Sequence, residues 1–134
     1  MNNRVVLDTN VIISAAISSL GNPAKIIGLV SDGIISMYYS NETLSEYEEV
    51  LSRERFGFSS EKQNATIELI SETGILIDPE QSIIQIPDMD DIIFYDVAKS
   101  ANAILVTGNI KHYPDDDFIM TPAEFLKSVN EEKY

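Results

Sequence analysis

The stretch "VVLDTNVIISAA", residues 5–16, holds the key to the fold. Val5, Val6 and Leu7 run straight into Asp8-Thr9-Asn10, and a second apolar stretch begins at Val11. A short β-branched run reads as a buried strand, and the stretch that follows reads as a helix. A carboxylate at the exit of a core strand is unusual, because a buried charge needs a partner or a task. The rest of the chain repeats the alternation. Arg4–Leu7 reads as a strand, Asn10–Ser19 as a helix, and Asn22-Pro23 starts a second helix running to about Asp32. Ile34–Tyr39 is strand-like, and Ser40 caps a helix reaching about Arg53. A helix from Ser59 or Ser60 ends at Gly74, and Ile75–Ile77 is a short strand. Asp88–Ala103 contains a helix, Ile104–Thr107 is a second buried strand, Phe118–Met120 is short, and Thr121-Pro122 opens the last helix. Strands alternating with helices imply a parallel sheet covered on both faces. In such sheets the ligand crevice lies at the carboxyl ends of the strands.

Composition narrows the function. The 134 residues fit one domain, 1–134, and 44% of them are apolar. The absence of cysteine removes disulfides and thiolate metal sites. With one histidine and no cysteine, no Ser–His or Cys–His nucleophile pair stands out. No apolar stretch is long enough for a bilayer and no signal peptide is evident, so the expectation is a cytoplasmic protein with no membrane partner. The net charge of −13 argues against nucleic-acid binding by phosphate neutralisation alone, and agrees with cation binding or plain solubility.

Asp8 leaves the first strand, and Asn109 occupies the matching point after "ILVTG". Each alone is explained as a helix cap; together they open onto one crevice. Around the third helix, "NETLSEYEEVLSR", Leu44, Tyr47 and Leu51 form the buried stripe. Glu42, Glu46, Glu48 and Glu49 surround it, and periodicity singles out none of them. In "DMDDIIFYDVAKSANA", Phe94, Val97, Ala98 and Ala101 form the apolar stripe. Asp88, Asp90 and Asp91 crowd its start, where the helix dipole also favours anions. Carboxylates brought together from distant segments suit a hard divalent cation, which offsets their repulsion and can promote hydrolysis at phosphorus.

At these residues the chain resembles the PIN-domain ribonucleases. "VVLDTNVIISA" resembles the first motif of that family and "SNETLSEYEEVLSRERFGF" the second, which places its Glu on Glu46. "DMDDIIFYDVAKSANAILVTGNIKHY" resembles the third and fourth, with the Asp on Asp91. The "TGN-x-K-H-Y" ending is similar to the toxins of toxin–antitoxin pairs. The resemblance implies a three-layer α/β/α sandwich and Mg²⁺- or Mn²⁺-dependent hydrolysis of single-stranded RNA. It implies Asp8, Glu46 and Asp91 as metal ligands and Asn109 as the fourth catalytic position, where the family often has Asp. Thr9, Asn10, Asp96 and Thr107 are implied as supporting residues. An antitoxin protein and a second copy of the chain are the implied partners. The lost charge at Asn109 leaves room for the alternative of a weakened module that binds RNA or protein without cleaving. A receiver- or phosphatase-type domain fits less well, because no Lys ends a later core strand.

Overall fold

The computed structural model describes residues 3–132. Among them, five strands form one all-parallel sheet flanked by six helices in three α/β/α layers. In chain order these are β1 (Arg4–Leu7), α1 (Thr9–Ile17), α2 (Asn22–Ser31), β2 (Ser36–Tyr39), α3 (Asn41–Leu51), α4 (Ser60–Thr73), β3 (Ile75–Leu76), α5 (Ile92–Ala101), β4 (Ile104–Val106), β5 (Ile119–Met120) and α6 (Pro122–Glu132). The strand order is β3-β2-β1-β4-β5. The chain winds outward from β1 in one direction, then crosses back and winds outward from β4 in the other. The boundary between β1 and β4 is therefore the topological switch point of the sheet.

The three central apolar residues of β1 are fully buried, as expected for a strand covered on both faces. Their neighbours in the core include Tyr47, Phe94, Leu105 and Phe125, each with essentially no exposed surface. α5 lies against β1, β2 and β4, and its Phe94, Val97, Ala98 and Ala101 supply the buried stripe. No single helix among the described residues is long and apolar enough to cross a membrane.

The element boundaries shift where local hydrogen bonds compete. α1 ends at Ile17 because Ser18 turns extended (φ −133°) and its hydroxyl accepts the Leu20 N–H at 3.3 Å. "DMDD" is a tight turn, with Met89–Asp91 in 3₁₀ geometry ahead of α5. Asn102 ends α5 in the left-handed region (φ 53°), and the Ala103 N–H returns to the Ala98 carbonyl at 3.0 Å, a Schellman-type stop. Gly74 joins α4 to β3 where nothing larger fits: a Cβ there would meet the Ile70 carbonyl oxygen at 2.5 Å and the Tyr39 ring at 2.8 Å.

Candidate active site

The strand registers place one row of residues at the carboxyl edge. Val5 pairs with Met37 on one side and Ile104 on the other, and Val106 pairs with Met120. Continued past the strand ends, these registers set Ser40, Asp8, Thr107 and Thr121 side by side. The two outer members cap helices. The Ser40 hydroxyl accepts the Thr43 N–H at 3.2 Å while Thr43 Oγ1 accepts the Ser40 N–H at 2.9 Å. Thr121 and Glu124 form the same reciprocal pair at the start of α6. The two inner members bond to each other: Thr107 Oγ1 donates to Asp8 Oδ2 at 2.8 Å. Asp8 sits at the N-cap of α1, but its side chain caps nothing. Its buried Oδ2 instead receives a second hydrogen bond, from the Tyr113 hydroxyl at 3.0 Å.

Other segments bring further acids to the same place. On α3, Tyr47 is fully buried and its hydroxyl donates to the Leu7 carbonyl oxygen, tying the helix to the end of β1. That contact positions Glu46, the preceding residue, beside the exit of Asp8. Asp91 closes the 3₁₀ turn before α5 and is another N-cap residue that caps nothing. Its Oδ2 lies 3.1 Å from His112 Nδ1. Burial holds the Glu46 carboxyl above its ordinary value, and the charges of Glu49, Asp90 and Asp8 add to this against the opposing pull of Arg53. Asp91 is also raised, first by burial and then by Asp8, while His112 pulls the other way. These acids feel one another across a shared cleft of about 510 Å³, whose lining includes Asp8, Glu46, Asp91 and Asn109.

Against this geometry, the sequence profile of the PIN domain matches residues 4–111, most of the chain. The chain belongs to the PIN-domain family. PIN domains are generally nucleases, act on RNA and typically bind divalent metals. An uncharacterized protein of Methanocaldococcus jannaschii is 31% identical over 109 residues, spanning 79% of this chain and 70% of that one.

In this PIN domain the residues singled out by sequence fall into two groups. Asp8, Thr9, Asn10, Glu46, Asp91 and Asn109 all line the cleft. Thr107 lies just behind it, also accepting the Asn109 N–H at 3.0 Å, and Asn10 Oδ1 accepts the Gly108 N–H at 3.2 Å. Asp96 is not brought to the cleft. It is buried, its Oδ1 accepts the Ser82 N–H at 3.0 Å, and it faces a separate small hollow beside Asp78. One helical turn beyond Asp91, it fastens the long 77–87 connection to α5. Asp90 is exposed and lies outside the cleft lining.

Two contributors were not singled out. Asp88 lines the cleft because residues i and i+3 eclipse in a 3₁₀ turn, which puts it on the Asp91 side. Its spacing in "DMDD" carried that signal. Tyr113 closes the "TGN-x-K-H-Y" segment, but the segment gave it no role, and only the general rule that a buried tyrosine hydroxyl seeks a partner pointed to one.

The donor set is chemically that of a hard cation: carboxylate and amide oxygens, with no sulfur. No three Asp, Glu, His or Cys groups among the described residues already stand as a metal cage. Magnesium commonly takes only one or two carboxylates and completes its shell with water, so the donors suffice in kind. The buried Thr9 Oγ1 beside Asp8 has no hydrogen-bond partner among the described residues, a polar atom left over at the cleft wall.

Proposed function

We propose that the protein is an endoribonuclease that hydrolyses phosphodiesters of single-stranded RNA with Mg²⁺ or Mn²⁺, the whole sequence forming one domain. One observation supports this above the rest: Asp8, Glu46 and Asp91, from three separate segments, line one cleft at the switch point, and two of them occupy cap positions without capping. Mutual repulsion makes such a cluster costly unless a cation offsets it.

In this reading Asp8, Glu46 and Asp91 hold the ion, and Asn109 borders the same site as a neutral donor. A bound divalent ion supplies Lewis acidity toward water and toward the phosphoryl oxygens. The chain supplies the positioning. Thr107 and Tyr113 fix the rotamer of Asp8 through Oδ2, which leaves Oδ1 for the cleft. Glu46, whose carboxyl is raised by burial and by the neighbouring acids, would have that repulsion offset by the ion it helps to hold. His112, bonded to Asp91, stands at the mouth, where its imidazole can meet a phosphate.

The finer reading is a toxin of a toxin–antitoxin pair, acting in the cytoplasm, neutralised by an antitoxin protein and assembled as a homodimer. It rests on the likeness of the "TGNIKHY" segment to such toxins.

The test is cleavage of a labelled single-stranded RNA with Mg²⁺ or Mn²⁺, and with chelator, by the parent, Asp91→Asn and Asp90→Asn. The expected result is metal-dependent cleavage, lost in Asp91→Asn and kept in Asp90→Asn. Equal loss in both variants would show that the register through "DMDD" is misread. RNA binding without cleavage by the parent would instead favour the weakened binding module, with Asn109 as the missing charge.

A further inference from the structure

The cleft has a second wall that the hydrolytic chemistry does not use. One turn along α3 from Glu46 its lining continues through Val50 to Ile13 and Phe56, with Arg53 and Arg55 beside them. An apolar, aromatic surface contributes nothing to holding a cation or a phosphate. Yet it opens into the same space as the acids.

Local sequence explains how the wall is made. After α3, Glu54–Phe56 forms a single 3₁₀ turn. Gly57 then takes a positive φ of 66°, with its N–H on the Glu54 carbonyl at 3.0 Å. This left-handed step, open to glycine without strain, reverses the chain and brings Phe58 back onto Phe56. The two rings stack with centroids 5.8 Å apart and planes 15° apart. Both pack on the small cluster of Ile13, Val50 and Leu51, which anchors the pair. Arg55 places its guanidinium carbon 4.8 Å from the Phe56 centroid. Arg53 is held by Glu49 through two hydrogen bonds, at 2.7 and 3.2 Å. In a chain with only nine basic residues, two stand at this wall.

Stacked rings with an exposed guanidinium over them are the parts with which proteins hold unpaired bases. We propose that Phe56, braced by Phe58 and flanked by Arg55, is a stacking site for one nucleobase of single-stranded RNA beside the phosphate held at the acids. This rests on the nuclease reading above. In the free protein Arg55 covers the ring. When a base arrives, the flexible guanidinium gives up the ring face and turns to the adjacent phosphate, with planar geometry suited to either role. The wall thus sets which stretch of strand lies across the acids. A duplex, whose bases are stacked within the helix, cannot use it.

The experiment measures cleavage and, by anisotropy, binding of a fluorescent single-stranded RNA and of copies carrying one abasic ribonucleotide at successive positions. The proteins are the parent, Phe56→Leu, Phe56→Trp and Arg55→Gln. The parent should lose about tenfold in KM or binding for an abasic site at one fixed position from the cut, and little elsewhere. Phe56→Leu should lose about tenfold for the intact RNA and become indifferent to that abasic site, with kcat nearly unchanged. Phe56→Trp should restore the dependence. Should Phe56→Leu melt early, the abasic scan of the parent and of Phe56→Trp carries the test, and Arg55→Gln should weaken KM while keeping the dependence on that one base. A parent indifferent to abasic sites at every position would overturn the subsite. A parent that never cleaves but binds with this base dependence would retire the nuclease reading and keep the subsite.

Discussion

Across the carboxyl edge of the sheet, the outer and inner strands treat the same position differently. After β2 and β5, Ser40 and Thr121 finish as reciprocal helix caps, their hydroxyls spent on the backbone N–H groups of α3 and α6. After β1 and β4, Asp8 and Thr107 spend nothing on a helix. They bond to each other, with Tyr113 completing the set. The outer positions serve stability, and the inner ones forgo a cap worth about 1 kcal/mol. A carboxylate placed where it could cap but does not marks the place where the fold serves something other than itself. Asp91, uncapping at the start of α5, belongs with the inner pair by the same criterion.

The contrast breaks most sharply at Asp8. Asp8→Asn keeps an acceptor for Thr107 and Tyr113, so stability without metal should change by under about 1 kcal/mol. Metal-dependent RNA cleavage should fall about a hundredfold or more, about 2.7 kcal/mol in barrier. The stabilisation that Mg²⁺ or Mn²⁺ is expected to give the parent in thermal melts should vanish. An equal metal shift in parent and variant would return Asp8 to the role of an ordinary strand-end residue.

At the outer position the effects should swap. Ser40→Ala should cost about 1–2 kcal/mol in denaturant unfolding, because a buried capping box is lost. Cleavage per folded molecule should stay within about twofold, since a cap serves stability alone. A large drop in activity would mean that the row does not divide as described.

Tyr113→Phe tests the link between the two kinds of position. Loss of the hydroxyl should cost about 1 kcal/mol of stability. It should also slow cleavage several-fold by freeing the Asp8 rotamer. No change in either measurement would show that Thr107 alone orients Asp8.

The smallest effect is in the pH dependence. Glu46 and Asp91 titrate higher in the folded chain than in the unfolded one. Between the ordinary and the raised values the folded state holds more protons, so stability falls as pH rises through that window. Below it the penalty is absent, and above it the penalty is complete. Asp8 contributes to both shifts, so urea titrations of Asp8→Asn at several pH values should show a shallower fall. An unchanged slope would remove Asp8 from the shared cluster.

Much of this was legible in the sequence for simple reasons. Buried parallel strands leave unbroken apolar runs, so β1 and β4 stood out and with them the switch point. Four motifs in order marked Glu46, which helical periodicity alone could not separate from Glu42, Glu48 and Glu49. Asp96 was misleading because one turn of helix looks the same toward a cleft as toward the 77–87 connection. Only the tertiary placement of Ser82 separates them. Tyr113 and Phe56 lie in the quoted motif segments, but the sequence gave neither a role. Their roles come from an approach to residue 8 across the sheet and from a glycine turn that folds one ring onto another.

The pairing of Asp8 with Thr107 joins residues 99 apart. The Asp8 N–H bonds the Val106 carbonyl at 3.0 Å. During synthesis, β1, β2 and their helices leave the ribosome before β4 exists, and a domain folds as a unit. Until β4 docks, Asp8 has no neighbour to orient it and the acids have no shared cleft. A chain that stops before Ile104 therefore lacks both hydrogen-bond partners of the Asp8 carboxylate, Thr107 and Tyr113, and the residues after β4 that close the cleft.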